Sequence, residues 1–276
     1  MRFAKAHGLG NDFLGVEEER APAEVGAWAR RLLDRHTGVG ADGVILYRAV
    51  PGGVSMRLIN PEGGEVELSG NGVRCLAAWA SSQGIAPAAH TVFTRSGPRP
   101  VEIESLPAHR YRIVTGLGPA ILRSDLIPMI LNPPREPILD EPLLVGGETV
   151  LVSVTSLGNP HCAVFVDTVA DDALVARLGP ALEWHPAFPV RTNVEFVTVV
   201  SRQEIRVRFW ERGVGPTLAS GTGSGSAFVA AVLKGLVDRK ARLVCDGGTL
   251  EAEWPEGGHV RQVGEVELLF EGDWLG

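Results

Sequence analysis

Apolar and polar residues alternate along several short stretches of this chain: "VSMRLIN" (54–60), "RPVEIESL" (99–106), "HRYRIV" (109–114), "TVLVSVTS" (149–156), "EIRVRFW" (204–210) and "EVELLF" (265–270). A period of two over five to eight residues predicts strands with one buried face. Helical spacing is confined to four places. "PAEVGAWARRLLDRHTG" (22–38) opens near Pro22 and meets a stop signal at Gly38, and "GVRCLAAWASSQG" (72–84) ends at Gly84. "DDALVARLG" (171–179) predicts a short helix, and "SGSAFVAAVLKGLVDRK" (224–240) is the most apolar of the four and predicts a buried one. The proline-rich "PMILNPPREPILDEP" (128–142) suits neither a central strand nor a helix and reads as a connection between two halves.

The halves resemble each other. At an offset of 151, "MRLINPEGG" (56–64) falls on "VRFWERGVG" (207–215), Asp42 on Asn193, and "SGNG" (69–72) on "SGTG" (220–223), each before a helix. At an offset of 148, "GLGND" (8–12) falls on "SLGNP" (156–160). Several matches in one order at nearly one offset indicate an internal duplication, too long in period for a solenoid. The prediction is an α+β chain of two pseudo-symmetric domains. Residues 1–118 form the first, joined by the C-terminal strand within 262–276, and residues 119–261 form the second.

Composition narrows the function classes. The chain has 276 residues, 45% apolar, and a formal charge of −7, which disfavours nucleic acid and anionic membrane as partners. No apolar run approaches the ~20 residues of a membrane span, and the start "MRFAKAHGLG" is not a signal peptide. Three cysteines, Cys75, Cys162 and Cys245, argue against a disulfide framework and for a reducing cytoplasm. No HExxH or CxxC supports a metal site. Cys75, on the side of the helix continuous with Leu76 and Trp79, reads as a small buried hydrophobe. Cys162 beside His161 is not a nucleophile–base pair, because neighbours on a strand point to opposite faces.

Each Ser-Gly-x-Gly stretch puts a hydroxyl at the lip of a helix N-terminus, where backbone N–H groups and the macrodipole favour an anion. One copy alone reads as a turn with an N-cap serine. An aligned pair points to a carboxylate held at two cradles, with Ser69 and Ser220 flanking its α-carbon from opposite faces. That is the arrangement of a two-base racemase or epimerase: one group removes a proton and the other returns one on the far side.

"KAHGLGNDF" (5–13), "TGVGADG" (37–43), "SGNGVRC" (69–75), "LGNPH" (157–161), "TNVEFV" (192–197), "ERGVG" (211–215) and "SGTG" (220–223) together resemble the diaminopimelate epimerase family, in family order from residue 5 to residue 223. The resemblance implies cofactor-independent interconversion of LL- and meso-diaminopimelate in lysine and cell-wall precursor synthesis. It also implies two domains, each a curled, mostly antiparallel sheet around a central helix. The expected partner is a small amino-acid substrate; the oligomeric state stays open, a homodimer among the options.

Carried over by position, the resemblance assigns acid/base positions to Ser69 and Ser220 and a tuning role to His161 and Glu211. It assigns substrate contacts to Asn11, Asn60, Asn159 and Asn193, and cradle amides to Gly70, Asn71, Gly221 and Thr222. Glu211 would accept from the distal ammonium, and Arg212 would pair the distal carboxylate in a fork. The departure is at the centre: the family carries cysteine where this chain has Ser69 and Ser220. A thiol near a helix N-terminus ionises near neutral pH, whereas a serine hydroxyl does not without a strong base beside it. The paired change, with few others, fits a deliberately disarmed site better than a native change of chemistry. Pro216 stands where the family usually has Glu, and Gly43, where some members carry Gln, receives no role. Two alternatives stay open: an isomerase on the same scaffold using a carboxylate such as Glu65 or Glu67, and a non-catalytic binder of two-ended amino acids.

Overall fold

A computed structural model of the chain describes residues 1–66 and 68–276. In chain order the elements are β1 (Arg2–Gly8), β2 (Asn11–Glu17), α1 (Val25–Leu33), β3 (Gly43–Val50), β4 (Gly53–Ile59), β5 (Glu65–Val66), α2 (Gly70–Ser82), β6 (Ala89–Thr94), β7 (Gly97–Leu106) and β8 (Arg110–Gly118). There follow β9 (Ile138–Val145), β10 (Glu148–Ser156), β11 (Pro160–Phe165), α3 (Asp172–Glu183), β12 (Asn193–Ser201), β13 (Glu204–Glu211), β14 (Gly215–Thr217), α4 (Gly221–Leu233), β15 (Lys240–Cys245), β16 (Gly248–Glu253) and β17 (Val260–Asp273). The chain divides into two compact units, Met1–Gly116 with Val263–Gly276, and Leu117–Gln262.

The two units repeat one pairing scheme. In the first, β1 and β2 are antiparallel, β2 runs parallel to β3, β3 and β4 are antiparallel, β4 runs parallel to β6, and β6 and β7 are antiparallel. In the second, β10 and β11, then β11 with β12, β12 with β13, β13 with β15, and β15 with β16 follow the same sequence of senses. In the first unit the strands curl back on themselves: β17 pairs with β1 and with β8. The α+β expectation of two pseudo-symmetric halves, each a curled sheet around a helix, matches this fold.

The central helices are buried on every side. Gly70 to Ala80 of α2 and Gly221 to Ala231 of α4 are all buried, which suits the largely apolar "VRCLAAWA" and "SAFVAAV" because a helix with apolar residues on every side has no face to give to water. α2 packs against β1, β2, β3, β4, β6 and β7, with Val73, Leu76 and Trp79 meeting Phe13, Ile45, Met56 and Ile113. α4 packs against β10 to β13 and β15. A second apolar layer lies on the other face of several strands. Leu32 and Leu33 of α1 cover Leu14, Val44 and Leu46, and Leu178 and Leu182 of α3 cover Val152, Val154 and Phe196.

Three expectations need correction. The proline-rich 128–142 segment does not connect the units: it lies within the second, and its end enters β9, where Pro142 pairs opposite Leu151. The chain passes between units inside β8 and again inside β17. The helix expected at 171–179 runs on to Glu183, with Pro180 inside it, and Asp171 caps it by accepting from Leu174 N–H at 2.8 Å. The helix expected to reach residue 240 stops at Leu233, where Gly235 adopts φ +70°.

Candidate functional site

Both Ser-Gly-x-Gly stretches build the same local structure. Ser69 and Ser220 are extended N-cap residues, at φ −132°, ψ 121° and φ −136°, ψ 124°. The Ser69 hydroxyl accepts from Gly72 N–H at 3.1 Å, and the Ser220 hydroxyl from Gly223 N–H at 3.3 Å. The helical ladder itself has no acceptor for the first-turn amides of Gly70 and Asn71, or of Gly221 and Thr222. Each unit therefore presents a helix N-terminus with a hydroxyl beside it.

In the first unit the side chains around α2 form a polar chain. Asn71 Nδ2 donates to Asn11 Oδ1 at 3.3 Å, and Asn11 Nδ2 donates to Asp42 Oδ2 at 2.8 Å. The buried Arg74 donates to Asn71 Oδ1. Asn11 reaches this place because the turn before it, Leu9 and Gly10, has φ +57° and +78°, the geometry of a tight hairpin between β1 and β2. Asp42 and Asp12 exchange backbone-to-carboxylate bonds at 3.0 Å and share Arg35, at 2.6 and 2.8 Å.

In the second unit the surroundings are acidic. His161, buried in β11, meets Glu195 Oε1 through Nδ1 at 2.7 Å and Asn159 Oδ1 through Nε2 at 2.9 Å. Glu195 sits on β12 with 1% exposure, and its Oε1 lies 2.8 Å from where a Cβ on Gly223 would be. Burial pushes the Glu195 carboxyl up, against the pull of His161. Glu211, at the end of β13, accepts from Thr217 Oγ1 at 2.7 Å. Burial pushes its carboxyl up too, opposed by the Thr217 hydroxyl, His161 and Ser220.

Glu211 and Thr217 are joined because β13 and β14 form a hairpin, with Glu211 opposite Gly215 and Pro216 opposite Trp210. Pro216 thus leaves the hairpin intact.

The sequence matches the diaminopimelate epimerase family over residues 3–122 and 153–269. The chain belongs to the diaminopimelate epimerase family. It is 44% identical to the diaminopimelate epimerase of Desulforudis audaxviator over 280 residues, covering 100% of this chain and 99% of that protein. It is 42% identical to that of Pelotomaculum thermopropionicum over 99% of both chains. The fold recurs in a predicted epimerase from Pseudomonas aeruginosa, at a TM-score of 0.70 and 18% identity, covering 100% of this chain and 99% of that one. It recurs in a hydroxyproline epimerase from Agrobacterium vitis, with trans-4-hydroxy-L-proline bound, at a TM-score of 0.69 and 13% identity over 99% and 90% of the two chains. The family is one of isomerases, and no helix among the described residues is long and apolar enough to cross a membrane.

The expected site residues fall into several environments. Asn159 and His161 bond each other beside Glu195, Glu211 bonds Thr217 just before α4, Ser220 caps α4, and Asn11 and Asn71 bond each other at the start of α2. Asn193 is committed to the backbone: Nδ2 donates to Pro160 O at 2.9 Å and Oδ1 accepts from Arg212 N–H at 2.9 Å. Arg212 Nη1 donates to Val190 O at 3.1 Å. Asn60 Oδ1 accepts from Gly64 N–H at 2.7 Å, closing the turn after β4. Glu65 is ion-paired to Arg57 at 2.9 Å, and that hydrogen bond holds its carboxyl below the usual range, so it is a poor base. Glu67 lies outside the described residues. The three cysteines are free and buried, and burial pushes the Cys75 thiol up to about 12 and raises that of Cys162.

Sequence reasoning gave no role to Glu195, Asp42, Arg74 or Glu183. A signal existed for Glu195: a lone carboxylate inside the apolar run "NVEFVTVV" has to be buried with a partner.

Proposed function

We propose that the chain binds diaminopimelate at the two Ser-Gly-x-Gly helix starts, as a diaminopimelate epimerase whose acid/base positions hold serine. The observation that carries this reading is the pair of serine N-caps with matching backbone geometry in a chain 40–44% identical to named diaminopimelate epimerases. In the reaction read from the family, the substrate's α-carboxylate accepts from the first-turn amides, and one lip group takes the α-proton while the other delivers a proton to the opposite face. Arg212 pairs the distal carboxylate, and Glu211 takes the distal ammonium.

The serines leave binding and geometry in place and remove the thiolate. A buried carboxylate such as Glu211, even with its affinity for a proton raised, is far too weak a base to ionise an alcohol. The chain as written is therefore expected to bind substrate and turn it over at most in traces. A positioned acid/base group is worth roughly 10²–10⁴ in rate.

Calorimetric titration with LL- and meso-diaminopimelate tests the binding. Measurable affinity that falls at least about tenfold on Arg212→Ala is expected, the size of one lost charge-assisted contact. Unchanged affinity in Arg212→Ala would remove Arg212 from the distal end.

A further inference from the structure

The Glu211–Arg212 dipeptide is held at both ends by one buried carboxylate. Glu183, the last residue of α3, has a side chain 4% exposed. Its Oε2 accepts from Trp210 Nε1 at 2.7 Å, the residue before the dipeptide. Its Oε1 accepts from Gly213 N–H at 2.9 Å, the residue after it, and from Arg191 Nη1 at 3.1 Å.

The surroundings are built around these bonds. α3 lies so close to Trp210 that a Cβ on Gly179 would come within 2.6 Å of the indole. Arg191 adopts φ +62° and stacks its guanidinium over Trp184, 4.7 Å from the ring centre, while it reaches Glu183. Gly213 adopts φ +77°, which turns the chain just after Arg212. Asn193 fixes the Arg212 amide from the other side.

A buried carboxylate is costly to desolvate and persists where several donors meet it. Here every donor belongs to the hairpin that carries Glu211 and Arg212, or to the arginine that covers it. We propose that Glu183 is a positioning residue for recognition of the distal end of a two-ended amino acid: it pre-sets the Glu211–Arg212 dipeptide so that Arg212 meets a distal carboxylate without reordering the loop. The proposal rests on the reading that Arg212 takes that carboxylate.

The test is a double-mutant cycle of Glu183→Gln and Arg212→Ala on the full chain, read as affinity for meso-diaminopimelate by calorimetry. Glu183→Gln is expected to weaken binding about tenfold when Arg212 is present, and less than about twofold in the Arg212→Ala background. Trp210→Phe removes only the donor to Oε2 and keeps the ring against Gly179; it is expected to weaken binding about threefold and to carry the test if Glu183→Gln does not fold. A staple serving stability alone would lower the urea midpoint and leave affinity unchanged, or weaken binding equally in both backgrounds; either result overturns the proposal. Loss on Arg212→Ala with full affinity in Glu183→Gln also overturns it while sparing the distal-carboxylate reading. No loss on Arg212→Ala overturns that reading itself.

Discussion

Replacing the third glycine-position residue of each cradle by alanine should affect the two units differently. Gly72 and Gly223 occupy the same N3 position of α2 and α4, and each donates its N–H to the preceding serine. In a helix, Gly→Ala alone stabilises by roughly 0.5–1 kcal/mol. At Gly72 the new Cβ would meet Met56 Cε at 3.0 Å and Ser69 Cβ at 3.3 Å. A methionine terminus moves easily, so Gly72→Ala should lie within about 0.5 kcal/mol of the parent. At Gly223 the new Cβ would meet Glu195 Oε1 at 2.8 Å and Ser220 Cβ and Oγ at 3.0 Å. Glu195 cannot retreat cheaply, because the same oxygen is held by His161 at 2.7 Å in a fully buried pair. Disturbing such a charge-assisted bond costs about 1.5–3 kcal/mol, so Gly223→Ala should destabilise by about 1–2 kcal/mol net of the helix gain. Urea unfolding followed by tryptophan fluorescence measures both, provided the slope is unchanged. Equal costs at the two positions, or a silent Gly223→Ala, would refute the view that Glu195 is packed rigidly against the second cradle.

Asp12→Asn should destabilise the chain by about 2 kcal/mol at neutral pH, since the carboxylate bonds Arg35 and Lys5. Desolvation is the largest single influence on Asp12 and pushes its pKa up, yet the hydrogen bonds from Arg35 and Lys5 outweigh it and hold the group below 3.8. With a lowered folded value, this stability is present above 3.8 and lost as pH falls through the folded pKa; a gap between variant and parent that does not narrow in that acid range would count against it. Tyr47→Phe strips the acceptor from the buried Trp79 indole, bonded at 3.1 Å, and should cost about 1–2 kcal/mol, read as a lowered urea midpoint.

The sequence made the repeat legible because both Ser-Gly-x-Gly starts need small residues and an N-cap, and these survive as letters. Half-buried strands such as β4 and β7 showed themselves by alternation. β3 and β12 did not, because helices cover their outer faces and their apolar runs lose the period of two. β9 was hidden by Pro137, just before the strand, and by Pro142, which pairs opposite Leu151 of β10. The site was legible only where a motif is local. Glu183 is contiguous with nothing it serves: its partners lie 8 to 30 residues further along, and only the fold of α3 onto β13 brings them together. Asn60 and Asn193 show the converse, since their letters fit a substrate contact while their amide groups bond the backbone.

The central claim is that Ser69 and Ser220 stand in an intact epimerase site as substitutes for thiols. It is tested most directly by incubating the chain and its Ser69→Cys, Ser220→Cys and double variants with LL- and meso-diaminopimelate in deuterated water, and following the α-proton signal. The parent should show neither epimerisation nor exchange above a trace. Each single variant should wash deuterium into one diastereomer, and the double variant should interconvert both, because exchange needs one competent base and inversion needs two. Brisk epimerisation by the Ser/Ser chain would contradict the claim, as would a double-cysteine variant that binds substrate and stays inert.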